Sequence, residues 1–282
     1  MDAILLCMKK RGIYFFRKIR FPNTDVVRFG AKTNFLGLLR SRRVEYDNVL
    51  IMAHGWHNSI LTTTRDIRHP YAKYIGCDEV DAFENDFVFA VSCLTANTFG
   101  MKCIERGSIA YLGYQVEIGY LFSAEPSPES RVPGSAVIDI NTLIKHAFVE
   151  SLSKAYEDFL RNPISVKLLR MRFSFEFEKR LSMLLEMTPS EIHEKYNIKI
   201  NERHYAAYAT NLILRTIANI NEILPRLVCI GDENYISSTF IRFRKQEGLS
   251  GEAILSELET NPSFVDLRNE EYKAYLRELA IG

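Results

Sequence analysis

A histidine and a cysteine, each directly after a run of apolar residues, are the side chains of this sequence best suited to nucleophilic chemistry. His54 follows the apolar run 48–53, and Cys93 follows the run 87–92. A thiol is a weak nucleophile until it is deprotonated, and a neighbouring imidazole can take or stabilise that proton. We therefore expect a catalytic dyad in which Cys93 attacks a carbonyl carbon and His54 is the general acid and base.

The apolar runs before these two residues are typical of strands that are buried on both faces in the middle of a parallel sheet. In open α/β sheets, chemistry gathers beyond the carboxyl ends of the strands. The 39 residues from His54 to Cys93 leave room for the crossover between parallel strands, which needs about a dozen residues. We expect the two strands to be parallel neighbours that bring imidazole and thiol to one edge of the sheet.

The ordered set of motifs over roughly residues 47–122 resembles the caspase-like cysteine peptidases, the group that includes caspases, gingipains and separase. It consists of an apolar strand ending in His54-Gly55, a second ending in Ser92-Cys93, and a third apolar strand over 109–114. This order is similar to that of bacterial gingipain-like members. The resemblance implies a three-layer α/β sandwich with a mainly parallel central sheet, and the activity of a cysteine endopeptidase on protein or peptide substrates.

Two backbone N–H groups are candidates for the oxyanion site that this chemistry needs. Attack on a carbonyl carbon puts negative charge on oxygen, which must meet prepositioned donors. Gly55 lacks a Cβ, so its N–H can approach closely, and the N–H of Cys93 is the second candidate. Both roles match the corresponding family residues. A helix predicted over 96–106 would direct its N-terminus toward Cys93 and favour the thiolate.

Residues close to the dyad in sequence are candidates for the substrate pocket. They are Trp56, His57, Ser92, Tyr114, Gln115 and Glu117. Ser92 stands where caspases carry a Gln that helps to recognise an acidic P1 side chain, so the resemblance does not imply specificity for Asp. Glu117, if it faces the pocket, would favour a basic P1 side chain.

The chain is predicted to have two parts. Residues 1–136 would form the caspase-like core with the dyad, and residues 137–282 a mainly helical remainder with additional strands near 227–244. Long helices are indicated by apolar periodicity over 144–159 and 203–224. A helical extension of this size could control access to the site or recruit a regulatory protein partner.

Shorter elements complete the predicted order. They are a hairpin of strands 3–8 and 12–22, helices at 34–43 and between 66 and 83, a polar loop at 56–64, a loop at 123–134, a helix that starts at Thr188, strands at 227–230 and 239–244, and helices at 251–259 and 268–280.

Composition places the chain among ordinary globular proteins, with 282 residues of which 47% are hydrophobic and 25% charged. Five cysteines without a C-x-x-C spacing indicate neither a zinc nor a redox motif, and their odd number favours a reducing compartment. No signal peptide is recognisable, and no apolar run approaches the roughly 20 residues of a membrane span. We expect a cytoplasmic protein without membrane contact, cofactor or metal.

Positive charge is concentrated at the start of the chain, where residues 1–50 hold 11 Lys and Arg against 4 Asp and Glu. The basic residues between 9 and 20 could contact nucleic acid or an acidic partner. The simpler interpretation is that these charges protect a solvated edge hairpin from unwanted pairing.

Three other functions are weighed against the peptidase. The segment from His54 to Ser59 also looks like the oxyanion loop of an α/β-hydrolase esterase, but the sequence has no G-x-S-x-G motif. A metal site of His54, His57 and His69 would lack the H-E-x-x-H signature. The remaining alternative is a caspase-like scaffold or binding module that has lost activity, in which Cys93 would be packed among apolar residues away from His54.

Overall fold

The centre of the protein is a mainly parallel β-sheet. The structure is a computed structural model that describes residues 3–8, 19, 21, 24–29, 37, 48–63, 71–118, 134–202 and 205–282. Its strands are β1 (Ala3–Met8), β2 (Thr24–Phe29), β3 (Asn48–Met52), β4 (His54–Trp56), β5 (Ser59–Thr63), β6 (Tyr71–Gly76), β7 (Phe87–Val91), β8 (Ala110–Tyr114) and β9 (Leu227–Gly231). Six of these form the sheet in the order β2-β1-β3-β7-β8-β9, in which β9 is antiparallel and the others are parallel.

The three middle strands are buried along their whole length, as their continuous apolar sequences predict. Every residue of β3, β7 and β8 is buried. Burial on both faces requires cover from helices on both sides, because a parallel sheet cannot leave an apolar face in water.

Helices supply that cover in two outer layers. The described helices are α1 (Phe99–Glu105), α2 (Gly134–Arg161), α3 (Val166–Glu186), α4 (Pro189–Tyr196), α5 (Tyr205–Glu222), α6 (Thr239–Gln246), α7 (Gly251–Glu259), α8 (Pro262–Val265) and α9 (Glu270–Ile281). On one face, Phe99 of α1 packs against Tyr111 of β8, with ring centroids 6.1 Å apart. On the other face, Phe159 of α2 packs against Phe87 of β7 at 5.2 Å. The predicted α/β fold with a mainly parallel sheet between helices is confirmed.

A small antiparallel sheet, β4-β5-β6, projects from the end of β3. The predicted polar loop at 56–64 is therefore wrong, since most of it belongs to a hairpin. The predicted helix between 66 and 83 is also wrong where the structure describes it, because β6 and a 3₁₀ turn at Val80–Phe83 occupy 71–83. In β5, Ser59, Ile60 and Thr62 are buried, and Leu61 is half-buried.

The start of the sheet consists of parallel strands. β1 pairs in parallel with β2 on one side and with β3 on the other, so neither neighbour of β1 is the hairpin partner predicted at 12–22. Most of 12–22 lies outside the described residues, as do the loop at 123–133 and the helix at 34–43 apart from Gly37.

The second half of the chain contains one wrong prediction and two helices that were not predicted. Residues 239–244, predicted as a strand, begin helix α6, which buries Phe240, Ile241 and Phe243. The helices that were not predicted are the short α8 and the long α3, although the buried residues of α3 follow helical spacing. The predicted helix start at Thr188 is confirmed by a capping box with Glu191.

Among the described helices, none has the length and apolar character that crossing a membrane requires.

Candidate active site

The register of β3 and β7 brings His54 and Cys93 to the same edge of the sheet. Met52 is paired with Val91 in a parallel ladder. His54 and Cys93 each stand two residues beyond that pair, and both are half-buried. The expectation that two neighbouring parallel strands lead to these residues is confirmed.

Contacts between the two strand ends hold them together just beyond the ladder. The Ser92 hydroxyl donates a hydrogen bond of 3.0 Å to the carbonyl of Ala53. A Cβ placed on Gly55 would lie 2.5 Å from the carbonyl oxygen of Cys93 and 2.9 Å from the Cβ of Ser92. The residue after His54 is therefore in direct contact with the backbone of Cys93, at a distance that only glycine permits.

The chain turns sharply after Cys93 through a left-handed backbone conformation. Leu94 has a φ of 61°, which is uncommon for a residue with a large side chain and costs on the order of 1 kcal/mol or more. The turn is held against the end of β8, because the Leu94 N–H donates to the Val116 carbonyl and the Ala96 N–H to the Tyr114 carbonyl, both at 3.1 Å. Such a turn keeps Cys93 at the edge of the sheet and leads the chain away from it.

Helix α1 begins at Phe99, three residues later than predicted. The N–H groups of Thr98 and Phe99 donate to the carbonyl of His57 at 3.2 and 2.7 Å. The carbonyl that satisfies these donors comes from the β4–β5 hairpin, so the helix start is tied to this hairpin. We therefore assign the helix N-terminus a role in anchoring the hairpin.

His54 contacts a residue that sequence reasoning missed, Tyr71 at the start of β6. The Tyr71 hydroxyl oxygen lies 3.4 Å from Nε2 of His54, and the two rings meet edge to face with centroids 4.6 Å apart. Tyr71 was overlooked because it lies in a segment predicted as helical. The contact depends on the strand pairing of β4, β5 and β6.

A cavity of about 380 Å³ opens beside the turn that follows Cys93. Leu94, Gln115, Val116, Glu117, Glu222 and Ile223 line it. Two predicted pocket residues, Gln115 and Glu117, are among them. Glu222 comes from the end of α5, more than 100 residues further along the chain, and no local signal in the sequence indicated it.

The other predicted pocket residues are divided between surface and interior. Trp56 is 50% exposed, and His57 is exposed with its Nδ1 at 3.1 Å from the side-chain nitrogen of Asn97. Ser92 and Tyr114 are fully buried, so their side chains do not reach the surface. Burial also raises the pKa of the Tyr114 phenol.

The remaining described thiols, those of Cys77, Cys103 and Cys229, have environments that oppose ionisation. Burial raises the pKa of Cys77, raises that of Cys103 well above its usual value, and raises that of Cys229 to about 12. A thiol with a raised pKa stays protonated and unreactive at neutral pH. These environments fit a structural role for the three cysteines.

No cluster of three His, Cys, Asp or Glu residues within the described part of the chain could hold a metal ion. The metal site considered from the sequence includes His69, which lies outside the described residues.

Known proteins that are similar to this chain are found among solved structures. No family model and no curated protein matches the chain. Among solved structures, it is similar to the crystal structure of the Arg specific cysteine proteinase gingipain R, with 10% sequence identity and a TM-score of 0.41. The match covers 84% of this chain and 48% of that chain, so this protein spans about half the length of the proteinase structure.

Proposed function

We propose that this protein is a cysteine endopeptidase of the caspase-like type. The observation that supports it is the parallel pairing of β3 with β7, which leads His54 and Cys93 to one edge of the sheet. Close packing of Gly55 against the Cys93 backbone adds to it. A histidine and a cysteine at neighbouring strand ends are suited to nucleophilic catalysis on a carbonyl group.

The proposed reaction has two stages. His54 takes the proton of Cys93, and the thiolate attacks the carbonyl carbon of the scissile peptide bond. The negative oxygen of the tetrahedral intermediate accepts hydrogen bonds from the N–H groups of Gly55 and Cys93. His54 then protonates the leaving amine as the C–N bond breaks, and water, deprotonated by His54, hydrolyses the thioester.

The charge of the cavity beside Cys93 favours a substrate with a basic P1 side chain. Glu117 and Glu222 both line the cavity, and no lysine, arginine or histidine is among the described residues that line it. A guanidinium or ammonium group placed there gains charge-assisted hydrogen bonds with carboxylates. An acidic P1 side chain would instead meet like charges.

Cleavage of a panel of peptides that differ at P1 tests the proposal. The full chain is expected to cleave peptides with Arg or Lys at P1, and Cys93→Ala and His54→Ala are expected to abolish cleavage. The matched control is Cys229→Ala, which removes a thiol of raised pKa and should leave cleavage unchanged. Cleavage that persists in Cys93→Ala would contradict the nucleophile assignment. Absence of cleavage of any peptide or protein substrate would favour the inactive scaffold.

A further inference from the structure

We propose that Tyr71 is a positioning residue, which orients the imidazole of His54 so that its Nδ1 faces Cys93. This role rests on the proposed peptidase function. It concerns a side chain that lies outside the sequence motifs around His54 and Cys93, and its basis is the small sheet β4-β5-β6.

Strand pairing puts Tyr71 and His54 on one face of that sheet. His54 is paired with Leu61, and Thr63, two residues further along β5, is paired with Tyr71. Residues opposite each other in an antiparallel pair share a face, as do residues two apart in one strand. The tyrosine side chain is long enough to cross the middle strand diagonally, which explains how strands that are not adjacent bring these two rings together.

Two features of the contact determine the orientation of the imidazole. The Tyr71 hydroxyl oxygen is 3.4 Å from Nε2, and the edge-to-face packing of the rings, with an interplanar angle of 61°, restricts rotation of the imidazole. When Nε2 is directed to Tyr71, proton exchange with the thiol takes place through Nδ1, on the other side of the ring.

A hydroxyl at Nε2 is compatible with both protonation states of the dyad. Neutral His54 with its proton on Nε2 donates to the Tyr71 oxygen, and its unprotonated Nδ1 can accept the proton of Cys93. After that transfer, the imidazolium still donates from Nε2 to the same oxygen. No proton moves to or from Tyr71, so its contribution is to keep the tautomer and the ring orientation that the reaction needs.

Nuclear magnetic resonance of the His54 ring tests this contact without any substrate. In the ¹⁵N-labelled full chain, the proton on Nε2 should exchange slowly with water because it is held by Tyr71. In Tyr71→Phe, which keeps the aromatic ring and removes the hydroxyl, this resonance should broaden or vanish. Tyr275→Phe is the matched control, because Tyr275 is similarly exposed (45% against 39% for Tyr71) and lies in α9. Tyr275→Phe should leave the resonance unchanged.

Kinetics give the second readout. Loss of one hydrogen bond to the catalytic base is expected to lower kcat about three- to tenfold in Tyr71→Phe and to leave KM unchanged, because the substrate pocket is untouched. Circular dichroism verifies that the variant is folded.

An active protein in which Tyr71→Phe leaves both kcat and the ring resonance unchanged would overturn the proposal. If the ring resonance depends on Tyr71 but the protein cleaves no substrate, the positioning role is also overturned, because there is no reaction for which His54 is positioned. That result would show that the proposed peptidase function is wrong, although the contact between Tyr71 and His54 exists.

Discussion

The carbonyl oxygen of Cys93 lies so close to Gly55 that a Cβ atom on Gly55 would stand 2.5 Å from it. The same Cβ would lie 2.5 Å from the methyl carbon of Thr95, well inside van der Waals contact. Glycine at this position therefore lets the strand end that carries His54 fit against the turn that carries Cys93. The close approach of the two strand ends at Gly55 therefore depends on the absence of one side chain.

Gly55→Ala is expected to lower kcat/KM about tenfold to 100-fold, because the two strand ends must move apart and the catalytic geometry is lost. Overpacking of this contact should also lower the free energy of unfolding by about 1–3 kcal/mol. Peptide cleavage and urea denaturation measure the two effects. Gly248→Ala is the control for general destabilisation, since Gly248 has a φ of +88° and its Cβ would meet no atom within 4 Å. Gly55→Ala with full activity would contradict the proposed site.

Alkylation with iodoacetamide near pH 6 is expected to modify Cys93 before Cys77, Cys103 and Cys229. The pKa values of Cys77, Cys103 and Cys229 are raised. A raised pKa extends the protonated, unreactive form to higher pH. Cys229, with a pKa of about 12, should react only in strong alkali or after unfolding. Peptide mass spectrometry measures the order of modification, and equal rates for the four thiols would argue against an activated Cys93.

His54→Ala is expected to slow the alkylation of Cys93 about tenfold at the same pH, because the imidazole no longer stabilises the thiolate. His193→Ala is the control, since His193 is exposed on α4. The rate should be followed for Cys93 alone by mass spectrometry. An unchanged rate in His54→Ala would show that the two residues do not act as a pair.

Glu117→Gln and Glu222→Gln are each expected to lower kcat/KM for a peptide with Arg at P1 about tenfold, since each removes a charged hydrogen-bond partner. The same variants should cleave a peptide with citrulline at P1, which is neutral and of similar shape, as well as the parent protein does. Glu186→Gln, at the exposed end of α3, is the matched control. Equal losses for both peptides would mean that the cavity does not bind the P1 side chain.

Asn48→Ala is expected to lower the free energy of unfolding by about 1–3 kcal/mol, because a buried hydroxyl loses the hydrogen bond that the Asn48 amide donates to it. The Asn48 side chain is buried at the start of β3 and donates to the Ser237 hydroxyl at 2.7 Å. Ser237 in turn accepts from the Thr239 N–H at 3.2 Å, which ties the central sheet to α6. Urea denaturation of Asn48→Ala, Ser237→Ala and the double variant should give a double loss smaller than the sum of the single losses, and strict additivity would contradict the coupling.

The sequence by itself determined the middle of the sheet and the residues at its edge. The runs 48–53, 87–92 and 109–114 are apolar except for Asn48 and Ser92, and such runs are typical of strands buried on both faces in the interior of a parallel sheet. Because parallel neighbours end at one edge, the placement of His54 and Cys93 followed from these runs. Gln115 and Glu117 at the cavity followed from their position directly after the third strand.

Tertiary structure alone decided which side chains from distant parts of the chain lie at the proposed active site. Tyr71 reaches His54 through the register of three strands, and Glu222 reaches the cavity from the end of α5. Likewise, β2 lies beside β1 in parallel, and 239–244 is a helix although a strand was predicted there. Local sequence patterns report which face of an element is buried, but the partner against which it is buried is set by packing between segments far apart in the chain.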